Sequence, residues 1–266
     1  MELSFITIIL GTVVGFVLAL TGAGGGMLSI PLLVYGLHLS VQQAAPVGLM
    51  AVGFAAALGS ITGLRKGIVR YRAAVLMGIS GMLAAPVGVF SAQRIPNQPL
   101  LILFACILLL ISFRSFRSKQ ISRNEQDVAC SLNADNQRFH WTMRCARAIA
   151  GTGFISGYLS GLVGVGGGFI IIPSLIRHSH LDIRSIQATS LAVITLVSIS
   201  GVSSAALHGS LPWAVALPFT IGSTFGLLGG LQIAKRLNQA TIQLLFAWLV
   251  LFVAVSMLLK GSGLVL

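Results

Sequence analysis

Five stretches of this 266-residue chain, 44–64, 73–91, 186–207, 212–232 and 241–259, contain no Asp, Glu, Lys or Arg. Each is close to the roughly 20 residues that a helix needs to cross about 30 Å of hydrocarbon. Apolar residues follow one another continuously in them and do not alternate with a period of two, which argues against a membrane β-barrel. With 56% hydrophobic and 8% charged residues, the chain has too little polar surface to cover a soluble globule. The sequence therefore predicts an all-α polytopic membrane protein. A shorter apolar run covers 99–113, so its ends are less well marked. The N-terminal twenty residues carry Glu2 and lack the basic n-region of a signal peptide, and they read as a retained membrane segment.

Internal repetition organises these segments. "TGAGGGMLSIPLL" at 21–33 returns as "VGVGGGFIIIPSL" at 163–175, a displacement of 142 residues without a gap. The same displacement pairs Gly11 with Gly153, Pro31 with Pro173, His38 with His180, Gly59 with Gly201, Gly88 with Gly230 and Arg94 with Arg236. The chain is accordingly divided into a first membrane repeat (1–113), a polar and basic linker (114–147) and a second membrane repeat (148–266).

Two arrangements of the repeats are open. In one, each holds four plain crossings, giving eight transmembrane helices. In the other, each glycine motif is the tip of a helical hairpin that enters and leaves by one face, followed by three crossing helices, so the repeats are inverted. With the linker cytoplasmic, the plain model puts twelve Lys and Arg residues inside and five outside (Arg94, Arg177, Arg184, Lys235, Arg236). The hairpin model leaves only Arg94 and Lys260 outside, fifteen against two, and obeys the positive-inside rule better.

Lipid cannot satisfy the N–H and C=O groups freed where a helix breaks, so such a break needs protein or a solvated cavity around it. Glycine runs allow positive φ and close approach. A helix that starts after them, here expected at Met27 and Phe169, points free N–H groups and its positive dipole end toward the break. Gly22, Gly24, Gly25, Gly26, Gly164, Gly166, Gly167 and Gly168 are therefore the predicted anion-binding residues, with Pro31 and Pro173 in structural roles. Helix breaks of this kind hold substrate near the midplane of inverted-repeat transporters. The plainer alternative is that these glycines only let helices pack closely.

The acidic residues, Glu2, Glu125, Asp127, Asp135 and Asp182, all lie outside the apolar segments. Intramembrane carboxylates, the usual markers of cation and proton routes, are missing from them. What remains there is hydroxyl and backbone: Thr21, Ser29, Ser60, Thr62, Ser80, Thr189, Ser190, Thr195, Ser198, Ser203 and Ser204. Such donors suit a small oxyanion, although Ser and Thr in helices commonly bond back to their own carbonyls. Thr189 and Ser190 are the hydroxyls weighted most, because the first repeat has Val47 and Gly48 in their place.

The net charge of +12 belongs mostly to loops and follows from the topology rule and anionic headgroups, so no nucleic-acid partner is expected. Cys106, Cys130 and Cys145 show no paired spacing and are read as packing or linker residues. No metal, cofactor or catalytic residue is predicted, since no G-x-S-x-G or H-E-x-x-H motif is present and the chain does not read as an enzyme. The expected partners are a small inorganic or organic anion and the lipid bilayer; self-association into a homo-oligomer is left open.

The doubled G-x-G-G-G-x-x-x-x-P pattern, with "QATSLAVI" at 187–194 and a G-x-x-x-[YW] loop at Gly67–Tyr71 and Gly209–Trp213, resembles the sulfite exporter TauE/SafE family over nearly the whole chain outside the linker. The resemblance implies a bacterial inner-membrane permease for sulfur-containing anions such as sulfite or organosulfonates. An anion channel and a non-transporting membrane scaffold are the alternatives.

Overall fold

The structure, a computed structural model, describes residues 2–21, 25–117, 142–178, 182–234 and 239–261. Among the described residues the chain forms ten helices: α1 (Glu2–Thr21), α2 (Gly25–Gly36), α3 (Val41–Arg65), α4 (Tyr71–Arg94), α5 (Asn97–Arg117), α6 (Met143–Val163), α7 (Gly168–His178), α8 (Ile183–Leu207), α9 (Trp213–Ala234) and α10 (Gln239–Gly261). Five of them, α1, α3, α4, α8 and α9, contain spans long and apolar enough to cross a membrane. The protein is a polytopic, all-helical membrane protein.

Local chemistry explains the boundaries. Ser40 caps α3 in a reciprocal box with Gln43, satisfying N–H groups that the first turn cannot. Thr142 caps α6 by accepting from Cys145 N–H, and Gly164, at φ 73°, ends that helix in the left-handed region with its N–H on Ser160 O. Both short helices start earlier than expected: α2 at Gly25 and α7 at Gly168, so the triplet glycines extend into the first turn. A glycine there costs little, because first-turn N–H groups have no intrahelical partner to lose. Helices α5 and α6 run into the two ends of the 114–147 segment, whose middle lies outside the described residues.

Two glycine seams set the packing. Helix α1 lies parallel to α9, with Gly11 and Gly15 against the backbone of Phe219 and Ser223, and Gly222 and Gly226 against that of Ile8 and Thr12. Helix α6 lies parallel to α4 in the same way, with Gly157 against Gly81 and Gly161 against Ala85. A Cβ at any of these positions would overlap opposing backbone, so the helices approach as closely as small residues permit. Between the seams α3 and α8 run antiparallel: Gly63 faces Ala188, Gly53 faces Ser198 and Gly201 faces Leu49. Phe104, Phe219, Ile30 and Leu33 fill one side of the core, and Leu18, Met77, Ile149 and Ile171 the other. Large apolar side chains such as Leu83, Leu110, Phe225 and Phe252 point outward, as a lipid-facing surface requires.

One sequence expectation is corrected. Cys145 is joined in a disulfide, whereas Cys106 is a free, exposed thiol, so the cysteines are not all unpaired packing residues.

Candidate functional site

The short helices fold back on the long ones that precede them. Gly25 of α2 lies against Val14 and Leu18 of α1, and Gly36 against Leu10. In the second half the fold-back is pinned by hydrogen bonds: Ser156 Oγ donates to Gly167 O at 3.0 Å, and the Thr152 and Ser174 hydroxyls meet at 2.7 Å. Ser156 and Thr152 went unremarked in the sequence, since their partners lie on α7 and in its approach.

The turn between α6 and α7 is built from left-handed glycines. Gly164, Gly166 and Gly167 have φ of 73°, 77° and 68°. Gly164 lies against Ala45 of α3, and Gly166 fits between Val52 of α3 and Ile194 of α8. Gly168 is the first residue of α7. Ile170 and Ile171 N–H both bond to Gly167 O, so the N–H groups just ahead of them stand at the open end of the helix ladder. The residues that flank Gly164, Gly166 and Gly167, namely Ala45, Val52, Ser156 and Ile194, are all uncharged.

The first motif differs. Gly22 and Gly24 lie outside the described residues, while Gly25 and Gly26 are helical and buried, and neither has positive φ. What they need is space: Gly26 lies against the backbone of Val165, and a Cβ on Gly25 would stand 2.7 Å from Val14 O. Gly48 of α3 faces both Ser29 Oγ and, at 3.3 Å from a would-be Cβ, Gly164 O. The structure thus brings the described parts of the two glycine motifs together against α3. Pro31 and Pro173 sit inside α2 and α7, where each lacks the N–H that would close a turn onto the carbonyl four residues back, at Met27 and Phe169.

The hydroxyls divide into two groups. Thr21, Ser60, Thr62, Ser80 and Thr195 donate to carbonyls three or four residues back, and Ser29 donates to Gly26 O. Thr189 is also engaged, donating to Ser185 O and accepting from Arg70 N–H, so its oxygen holds the α3–α4 loop. Ser190, Ser198 and Ser160 differ, because their Oγ atoms are buried with no protein hydrogen-bond partner. Buried hydroxyls left unmatched cost stability unless something else meets them. Ser160 was missed in the sequence, being one more small residue in "SGYLSGLVG".

A second polar region lies elsewhere. A cavity of about 280 Å³ opens where α3 begins, α4 ends and the α8–α9 loop passes, lined by Gln42, Gln43, Gln93, Gly209, Ser210, Leu211 and Pro212. His38 has φ of 52° in the loop before α3, His180 lies outside the described residues, and the His208 ring meets Ser204 O through Nδ1.

The family model "Sulfite exporter TauE/SafE" matches residues 7–257. A "Probable membrane transporter protein" of Xylella fastidiosa is 28% identical over 94% of this chain and 93% of its own length. "Probable membrane transporter protein YunE" of Bacillus subtilis is 22% identical over 96% and 97%, respectively. No solved structure matches the chain. The family model spans both glycine motifs and all ten helices in whole or part, and the chain belongs to the sulfite exporter TauE/SafE family.

Proposed function

We propose that the chain is a secondary transporter for a small anion, a sulfur oxyanion or organosulfonate, which works by alternating access between two inverted repeats of an inner-membrane protein with a cytoplasmic linker. The observation that carries this reading is the antiparallel crossing of α3 and α8. Their bounds, Val41–Arg65 and Ile183–Leu207, stand 142 residues apart at both ends, yet the two helices run in opposite directions. The pairing pattern obeys the same exchange, α1 with α9 and α4 with α6, α3 with α9 and α4 with α8. This is the relation expected of inverted repeats, whose broken helices meet near the midplane. Arg65, Lys66, Arg70, Arg72 and Arg184 then share the linker's face, whereas Arg94 lies on the other, as the positive-inside rule favours.

The glycine break supplies backbone donors and a helix N-terminus without a fixed cation, a combination that holds an oxyanion and still lets it go. Ser190 and Ser198, buried and unmatched on α8, supply further donors. Reconstitution into liposomes with radiolabelled sulfite tests the reading. Saturable uptake that depends on an imposed proton or sodium gradient is the expected result; flux that never saturates indicates a channel, and no flux with any sulfur anion a scaffold. A reporter fused after Ser179 tests the topology, with cytoplasmic activity expected.

A further inference from the structure

The two mouths of the seam between the halves differ. At the linker's face, Ser185 Oγ donates to Ile68 O at 2.6 Å and Arg70 N–H donates to Thr189 Oγ1 at 3.1 Å, so α8 is stitched to the α3–α4 loop through buried hydroxyls. Shifting these residues by 142 leads to the opposite face: Ile68 and Arg70 correspond to Ser210 and Pro212, and Ser185 to Gln43. There the same junction is a cavity of about 280 Å³, and among the described residues its tie across the seam is one side-chain bond, Gln93 Nε2 to Ser210 Oγ at 3.0 Å. Ser210 Oγ itself donates a hydrogen bond to Ala205 O.

We propose that this cavity is an outer binding vestibule for a small oxyanion, open in this conformation while the opposite mouth is sealed; the inference rests on the transport reading above. Its size admits a small anion with part of its hydration shell, since each water occupies about 30 Å³, and falls just under the range of drug-sized pockets. None of its lining residues is acidic. Gln42 Nε2 is committed to Ile95 O, and the Gln43 carbonyl oxygen to Ser40 N–H, which turns the Gln43 amide NH2 outward as a donor. Helix α9 begins at the cavity wall: Val215 and Ala216 N–H bond to Pro212 O, so the N–H groups of Trp213 and Ala214 lie ahead of the ladder. Arg94 follows Gln93 and is stacked on Phe90 at 4.2 Å, adding positive potential at the rim. Neutral amides near a rim cation bind an oxyanion weakly and reversibly, as an access site must.

Two measurements on the reconstituted full chain test this. In radiolabelled sulfite uptake, Gln93→Leu and Gln43→Leu are expected to raise KM roughly three- to tenfold with Vmax kept, the scale of one lost hydrogen bond, and Gln93→Asn to recover part of the loss. Separately, Ser210→Cys is expected to react with an anionic, sulfonate-bearing thiol reagent from outside, faster than the parent chain does, and sulfite is expected to slow that reaction by more than it slows the same reagent's reaction with a free thiol in solution, which accounts for sulfite's own consumption of the reagent. If wild-type uptake is intact and both leucine variants keep wild-type KM, the vestibule assignment is overturned and the transport reading stands. If sulfite is not carried but still protects Ser210→Cys, the vestibule stands and the transport reading fails. A Ser210→Cys thiol that ignores both reagent and sulfite overturns the vestibule.

Discussion

Replacing Gly167 by alanine tests whether the glycine break is a working site or a packing device. Gly167 has φ of 68°, a region that costs an L-residue roughly 1–2 kcal/mol. The new methyl would also overlap Ser156 Oγ and come within 2.8 Å of Ser156 O, both on the neighbouring helix, and overpacking of this kind typically costs about 1–3 kcal/mol. Moving Ser156 aside gives up its bond to Gly167 O, about 1 kcal/mol more. The intact break is then disfavoured by roughly 3–6 kcal/mol against relaxed arrangements, so flux per inserted molecule should fall by two orders of magnitude or more. Gly67 provides the control, because it has the same φ of 67° with nothing within 4 Å of its would-be Cβ. Gly67→Ala meets the dihedral cost alone, in a loop free to relax, and should keep most of its flux. The assay is initial sulfite uptake in proteoliposomes, normalised to inserted protein by quantitative blotting. Wild-type uptake by Gly167→Ala, at wild-type insertion, would falsify the assignment of the break as the substrate site.

Other substitutions separate function from stability. Ser190→Ala removes a buried hydroxyl that has no protein partner, so thermal stability in detergent should hold or rise by about 1 kcal/mol while sulfite uptake falls; unchanged uptake removes Ser190 from the site. Thr189→Val should do the reverse to stability, lowering it by about 1–3 kcal/mol because Arg70 N–H loses its acceptor, and a thermal-shift scan reads this directly. Gly25→Ala should impair the chain through contact with Leu18 Cβ and the backbone of Val14 and Leu18, and not through φ; Leu18→Ala keeps that Cβ and is expected to restore no uptake, so rescue by it refutes the steric account. A substrate that binds only the folded state should raise stability by about 2.7 kcal/mol at a hundred times its Kd; a thermal-shift screen across sulfite, thiosulfate, sulfoacetate and taurine reads this, and the class is wrong if all four leave the midpoint unmoved.

Helix positions were legible from the sequence because they depend on local and repeated information. The charge-free windows 44–64 and 186–207 lie within α3 and α8. The starts of α2 and α7 were read one or two residues late, since nothing in a Gly-Gly-Gly run marks which residue closes the first turn. Distinguishing the hydroxyls required tertiary structure. Thr189 and Ser190 look equivalent as neighbours on one helix, but one faces the Arg70 N–H, 119 residues away, and the other faces no partner. The polar cavity was unreadable for a related reason. Gln42, Gln43 and Gln93 occupy ordinary helix-end contexts, and they converge only because α3 starts where α4 ends.

The glycine seam between α1 and α9 bears on how the chain is made. Gly11 and Gly15 find the backbone of Phe219 and Ser223 only after about 200 further residues have been synthesised. At roughly 5–20 residues per second, the grooved face of α1 stays without its permanent neighbour for some 10–40 s. During that time it meets lipid or the insertion machinery, and a small-residue groove is the surface on which unrelated helices associate. The α4–α6 seam closes sooner, because Gly81 and Gly157 are separated by only 76 residues. The α4–α6 seam is therefore assembled before the grooved face of α1 meets α9, and translation arrested before α9 should leave that face exposed to proteolysis or to pairing with other proteins.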